Sequence, residues 1–176
     1  ARAVLSSDDG RPLFLFVQSY AVHAPYQPTE ATRARLRATL PVDGDFDLLL
    51  GEARQLGMTT LAERPGAQLA RERELARELR GLYLAKVSEL DGLFGRFLGE
   101  LEQRGGLEAA TLFFLADHGE SFLEHASLFH ATGVFEEELR VPLVVCGPRF
   151  APGREERAVS LIDFLPTVAE LTGPCS

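Results

Sequence analysis

Three of the four histidines in this chain, His118, His125 and His130, fall within thirteen residues, while His23 stands far ahead of them. His118 belongs to Asp117-His118-Gly119-Glu120. A carboxylate next to a neutral imidazole is half of a divalent-metal site, whose other ligands must come from elsewhere. The same residues also read as a strand-ending turn whose polar groups satisfy each other. His130 lies twelve positions after His118 and is suited to holding an anionic substrate oxygen or protonating a leaving group, because imidazole titrates near neutral pH. His125 can do either, or can cap its loop against Glu124. His23, in His23-Ala24-Pro25-Tyr26, reads equally as a loop histidine packed beside Pro25 and Tyr26.

For these groups to meet, the elements that carry them must end together. Leu13 to Val17, Thr111 to Ala116 and Val141 to Val145 are short apolar runs of the kind shown by strands buried on both faces. Asp117 directly follows the second run, and His23 lies in the loop after the first. Loops leaving the carboxyl ends of parallel strands converge on one edge of a sheet, where ligands bind. Parallel pairing of the first two runs would therefore gather all four histidines at one end. Between them, Ala67 to Arg104 predicts one long helix, with Tyr83, Val87, Leu90, Phe94, Phe97 and Leu101 spaced alternately by four and three. Ser88, Gly92, Gly95 and Gly99 share a neighbouring face and predict close packing against the sheet. Gly105-Gly106 ends the helix, and Ile162 to Leu171 forms a closing helix stopped by Gly173. Residues 30 to 66 read only as a basic helix near Thr32 to Leu40, a turn at Pro41 to Asp45 and a second weak helix. The fold class expected is α/β, a mixed and largely parallel sheet flanked by helices.

Composition narrows the partners. The 176 residues are 45% hydrophobic and 25% charged, which excludes a disordered tail or a coiled-coil rod. With 18 basic against 26 acidic residues the net charge is -8, which argues against non-specific nucleic-acid binding, so an anion must be captured locally. Lys86 is the sole lysine. Cys146 and Cys175 have neither the number for a disulfide framework nor the spacing of a zinc site. No apolar run approaches the roughly 20 residues that span a bilayer.

In order along the chain stand His23-Ala24-Pro25-Tyr26, Asp117-His118-Gly119-Glu120, Glu124-His125-Ala126, His130, Glu138-Leu139-Arg140-Val141-Pro142-Leu143 and Asp163-Phe164-Leu165-Pro166-Thr167. This series, from about residue 13 to residue 173, resembles the sulfatases of the alkaline-phosphatase superfamily. The resemblance implies an alkaline-phosphatase-like fold and hydrolysis of a sulfate ester. It implies that Asp117 and His118 complete the site of one divalent ion, calcium before manganese or zinc. His23 would bind the sulfate or its leaving oxygen, His130 would take the place of a lysine that contacts the anion in many relatives, and His125 would help bind substrate. The Val141-Pro142 strand entry and the Asp163 helix start are scaffold in that family.

Two departures shape the reading. Many sulfatases have asparagine where this chain has His118, and histidine there is also a feature of phosphonate and phosphodiester hydrolases. The family's Cys-x-Pro-x-Arg nucleophile motif and early aspartate pair are both missing, and Cys146-Gly147-Pro148-Arg149, with its arginine one position early, reads as a turn. The expectation is one partial catalytic domain over residues 1 to 176 that lacks its amino-terminal part and is inactive alone. Its substrate would be a small-molecule, glycan or lipid sulfate ester, or a phosphoester. The resemblance also implies a periplasmic, secreted or membrane-anchored setting. The alternatives are a phosphonate or phosphodiester hydrolase, a phosphoryl transferase, and a non-catalytic metal-binding domain.

Overall fold

The structure is a computed structural model that describes residues 12–58, 69–131 and 133–173. The start of the long helix at Ala67, and Cys175, lie outside the described residues. The chain divides into two compact units, residues 1–96 and 97–176.

The first unit is helical. Helix α1 (Glu30–Leu36) starts at Thr29, whose hydroxyl accepts from the Thr32 N–H, and α2 (Phe46–Gln55) starts at Asp45, whose carboxylate accepts from the Leu48 N–H. Both are standard N-caps that satisfy an otherwise orphaned amide. Helix α3 (Leu69–Gln103) supplies the floor of the core. Leu75, Leu79 and Leu82, spaced by four and three, are fully buried with Tyr26, Val42, Ala53 and Met58. The Tyr26 ring meets Phe46 and Tyr83 edge-on at centroid distances of 5.1 and 5.5 Å, contacts that add about 0.5–1.5 kcal/mol per pair beyond area burial.

α1 is fastened to α3 by a carboxylate. Glu89 accepts from the Thr29 amide (2.6 Å) and hydroxyl (2.8 Å), and the Lys86 ammonium donates to its other oxygen at 2.6 Å. Burial pushes the Glu89 carboxyl upward, but the hydrogen bonds from Lys86, Thr29 and Thr32 outweigh it and bring it down to about 2.

The expected glycine face is a correction. Nothing lies within 4 Å of where a Cβ would stand on Gly95 or Gly99, and only the Arg96 side chain approaches Gly92. Small residues permit a close approach without supplying any attraction; among the described residues, only Ser88 of this face receives another helix, its hydroxyl accepting from Arg35 at 2.9 Å. The close approach is at Gly81, where a Cβ would overlap the carbonyl of Pro41. The helix ends as expected: Gly105 takes φ +69, its N–H bonds to the Glu102 carbonyl and the Gly106 N–H to that of Leu101. That pair of bonds is a Schellman cap.

The second unit holds the strands. β1 (Leu112–Leu115) pairs antiparallel with β4 (Leu143–Cys146), Leu112 opposite Cys146 and Leu115 opposite Leu143. β2 (Ser121–Phe122) and β3 (Leu128–Phe129) form a short antiparallel hairpin. A four-residue helix α4 (Glu136–Leu139) precedes β4. A 3₁₀ turn (Leu161–Asp163), closed by a capping box between Ser160 and Asp163, leads into α5 (Phe164–Thr172), which stops at Gly173 with φ +78. Phe113 receives the Phe164 ring edge-on at 5.2 Å.

The molecule thus mixes helices with small sheets, but the described residues show no parallel pair. Leu13 to Val17 is irregular and largely exposed, with Phe14 at 65% and Phe16 at 68%. An apolar run records a tendency to be buried, while a strand needs a hydrogen-bonding neighbour, and the described residues offer this run none. The second and third runs are strands, half-buried in β1 and mostly exposed in β4 rather than fully covered.

Candidate functional site

Asp117 follows β1 at once, where the chain leaves the sheet. Its Oδ1 accepts from the His118 backbone N–H at 3.1 Å, and the His118 Nδ1–H donates to the Gly119 carbonyl at 2.7 Å. A carbonyl can only accept, so Nδ1 carries a proton and, in the neutral ring, Nε2 is left as the nitrogen with the lone pair, the arrangement that second-sphere bonds impose on metal-binding histidines. His118 Nε2 lies 3.8 Å from Asp117 Oδ1, and the Asp117 carboxylate is exposed. Donors held about 2.0–2.4 Å from an ion can stand up to roughly 4 Å apart, so one ion can touch both. Among the described residues no third His, Cys, Asp or Glu joins them in a metal-binding group. The pair therefore fits as two ligands of a larger set.

Gly119 is required by close approach rather than by an unusual torsion. Its N–H donates to the Glu138 carbonyl at 2.7 Å, and a Cβ there would overlap the Glu137 carbonyl. This bond seats the loop after β1 against α4.

His130 leaves β3 and stacks on His118, ring centroids 4.0 Å apart and tilted by 32°. Its Nδ1–H donates at 2.8 Å to Oε1 of Glu120, a carboxylate only 5% exposed. The backbone on each side of His130 is left-handed, with φ 72 at Phe129 and φ 63 at Ala131; Leu123 and Ala126 at the hairpin tip are left-handed too. Each such non-glycine residue costs about 1–2 kcal/mol and persists only where surrounding contacts dictate it.

His125 sits at the tip, not against Glu124, whose carboxylate accepts from the Phe122 N–H instead. The His125 Nδ1–H donates to Glu137 Oε1 at 2.7 Å and its ring stacks flat on Phe135, centroids 3.9 Å apart. The hydrogen bond from His125 holds the Glu137 carboxyl below its ordinary value. His125 thereby ties the hairpin to the segment that forms α4.

His23 belongs to the first unit. It is exposed, donates its Nδ1–H to the Ala24 carbonyl at 2.7 Å, and meets Tyr20 edge-on at 5.9 Å. Tyr26 is buried in the core while His23 is exposed. Cys146 ends β4 as an exposed thiol, and Gly147 to Phe150 is a turn closed by the Phe150 N–H on the Gly147 carbonyl, as expected.

The second unit thus brings Asp117, His118 and His130 together, with His125 on the same hairpin. Sequence reasoning assigned no role to Glu120 or Glu137. Glu120 was visible as the last residue of the Asp117 motif, but its partner lies ten positions on, a distance no helical or strand period connects.

The family model described as Sulfatase matches residues 1–174. The chain is 37% identical to arylsulfatase K of Xenopus laevis over 98 residues, 55% of this chain and 18% of that protein. It is 35% identical to choline-sulfatase of Rhizobium meliloti (strain 1021) over 100 residues, 57% of this chain and 19% of that protein. It is 28% identical to the multifunctional alkaline phosphatase superfamily protein PehA of Trinickia caryophylli over 190 aligned positions, 98% of this chain and 36% of that protein. The chain therefore spans about a fifth of the arylsulfatase K and choline-sulfatase relatives it matches.

Proposed function

The chain belongs to the sulfatase family, and from that membership we propose that it contributes part of the active site of a metal-dependent sulfuric ester hydrolase. The observation that carries the reading is the His118–His130 stack, which places an imidazole of fixed tautomer over a candidate metal ligand. Asp117 and His118 would hold a divalent ion, which when bound neutralises charge building on the substrate's oxygens. The oxygen donor suits calcium, and the imidazole also admits manganese or zinc.

His130 orients the anionic group and, as an imidazolium, donates a proton or hydrogen bond to its oxygen. His23 is assigned to the sulfate or the departing oxygen, and His125 to support of the hairpin, since its Nδ1 and one ring face are already engaged. The attacking nucleophile comes from outside these 176 residues, as do the remaining metal ligands. In the whole catalytic domain Leu13 to Val17 would become a strand of a large parallel sheet.

The substrate is a small-molecule, glycan or lipid sulfate ester. The second reading, phosphonate or phosphodiester hydrolysis, is favoured by His118 in place of asparagine. Assay of the intact protein on an aryl sulfate and on the matching phosphodiester and phosphonate ester tests both. Sulfate hydrolysis faster than the others supports the first reading; preference for a phosphorus ester overturns it in favour of the second. Loss of sulfate hydrolysis in His118→Ala and His130→Ala is expected, and full activity in either would remove that residue from the site.

A further inference from the structure

Glu120 is the least explained charged group near the site. Its side chain is almost fully buried, and its Oε1 accepts the Nδ1–H of His130 at 2.8 Å. A buried carboxylate is costly unless hydrogen-bonded, so its partner is held in turn. His130 is constrained from three directions: by this bond, by the His118 ring 4.0 Å away, and by left-handed backbone at Phe129 and Ala131. Backbone torsions of this kind, with an imidazole pinned at one nitrogen, mark a ring whose orientation is specified.

We infer that Glu120 is the positioning residue for His130, fixing the proton on Nδ1 and making Nε2 the nitrogen through which His130 meets the reacting group. The inference rests on the role given to His130 in the sulfatase reading. Because Nδ1 is committed to Glu120, rotation of the ring by half a turn would break a charge-assisted bond. The ring therefore presents the same edge throughout. Glu120 reaches the site through His130 and is assigned no contact with substrate, so it acts through the imidazole. It differs from the Gly119 carbonyl, which performs the same task for His118 with a neutral acceptor.

The test uses the intact protein with ¹⁵N-labelled histidine, His130 resonances being assigned by their loss in a His130→Asn variant. Long-range ¹⁵N–¹H spectra are expected to show His130 protonated at Nδ1. Glu120→Leu, which removes the acceptor at similar volume, is expected to lower the Nδ1–H population. It should also reduce kcat/KM on the best substrate by about 10- to 100-fold, the usual effect of losing an orienting partner. Glu120→Gln, which keeps an acceptor oxygen, is expected to recover most of both.

A parent spectrum with the proton on Nε2 would overturn the inference, whether or not the leucine variant folds. So would a leucine variant that retains both the parent tautomer and the parent kcat/KM. If the intact protein hydrolyses no sulfate ester yet His130 remains protonated at Nδ1 and loses that state in Glu120→Leu, the sulfatase reading falls while the positioning by Glu120 stands.

Discussion

The carbonyl of Glu137 fills the space that a Cβ on Gly119 would occupy, so the loop carrying the candidate metal ligands is seated directly on the backbone of α4. Gly119→Ala is therefore expected to lower stability by about 1–3 kcal/mol, the usual cost of overpacking. It should also break the bond to the Glu138 carbonyl and displace Asp117 and His118. Thermal melts and metal titration of the intact protein check both effects; an unchanged melt would show that the loop is not held there.

Asp117 and His118 are exposed and their loss leaves no buried group unpaired. Asp117→Ala and His118→Ala should each lower bound divalent metal and activity together, with a melting temperature close to that of the metal-free parent. Elemental analysis alongside circular dichroism measures this. Full metal occupancy in either variant would strike that residue from the ligand set.

The Glu89 carboxylate predicts a pH dependence. Its folded value of about 2 lies below the ordinary 4.5, so its ionised form is favoured by folding. The stability it contributes is fully present above pH 4.5 and is lost as pH falls from about 4.5 toward 2. The parent should therefore lose stability across that interval more steeply than Glu89→Gln. At pH 7 the variant should be less stable by about 2 kcal/mol, since charged hydrogen bonds to Lys86 and Thr29 are weakened. Parallel pH slopes in denaturant titrations would contradict the assignment.

His125 tests the division of labour on the hairpin. His125→Phe retains an aromatic ring for Phe135 and removes the bond to Glu137. Its melting temperature should fall below the parent's, while KM changes by no more than about twofold, within the scatter of residues that do not touch substrate. A tenfold rise in KM at unchanged stability would return His125 to the substrate-binding set.

Sequence reading went furthest where the signal was local. The long helix, its double-glycine stop, the strand before Asp117 and the cap at Gly173 are each written in contiguous residues, through period, turn chemistry or flanking glycine. It reached less far at Leu13 to Val17, where composition announces burial but cannot name a neighbour and the described residues show no strand, and at Gly95 and Gly99, where nothing stands within 4 Å of a Cβ. The candidate site was half legible. Residue type and spacing single out Asp117, His118 and His130, which the structure brings together. Glu120 and Glu137 escaped because their partners, ten and twelve positions away, are reached through hairpin torsions such as those at Leu123 and Phe129 that follow no propensity rule.

Lys86, the sole lysine of the 176 residues, is largely covered and committed to Glu89 at the contact between α1 and α3. Amine-directed reagents will find one ε-amino group in this stretch, and they will find it only when that contact opens. The rate of acylation at Lys86 then becomes a gauge of local opening in the helical unit, read without any engineered probe.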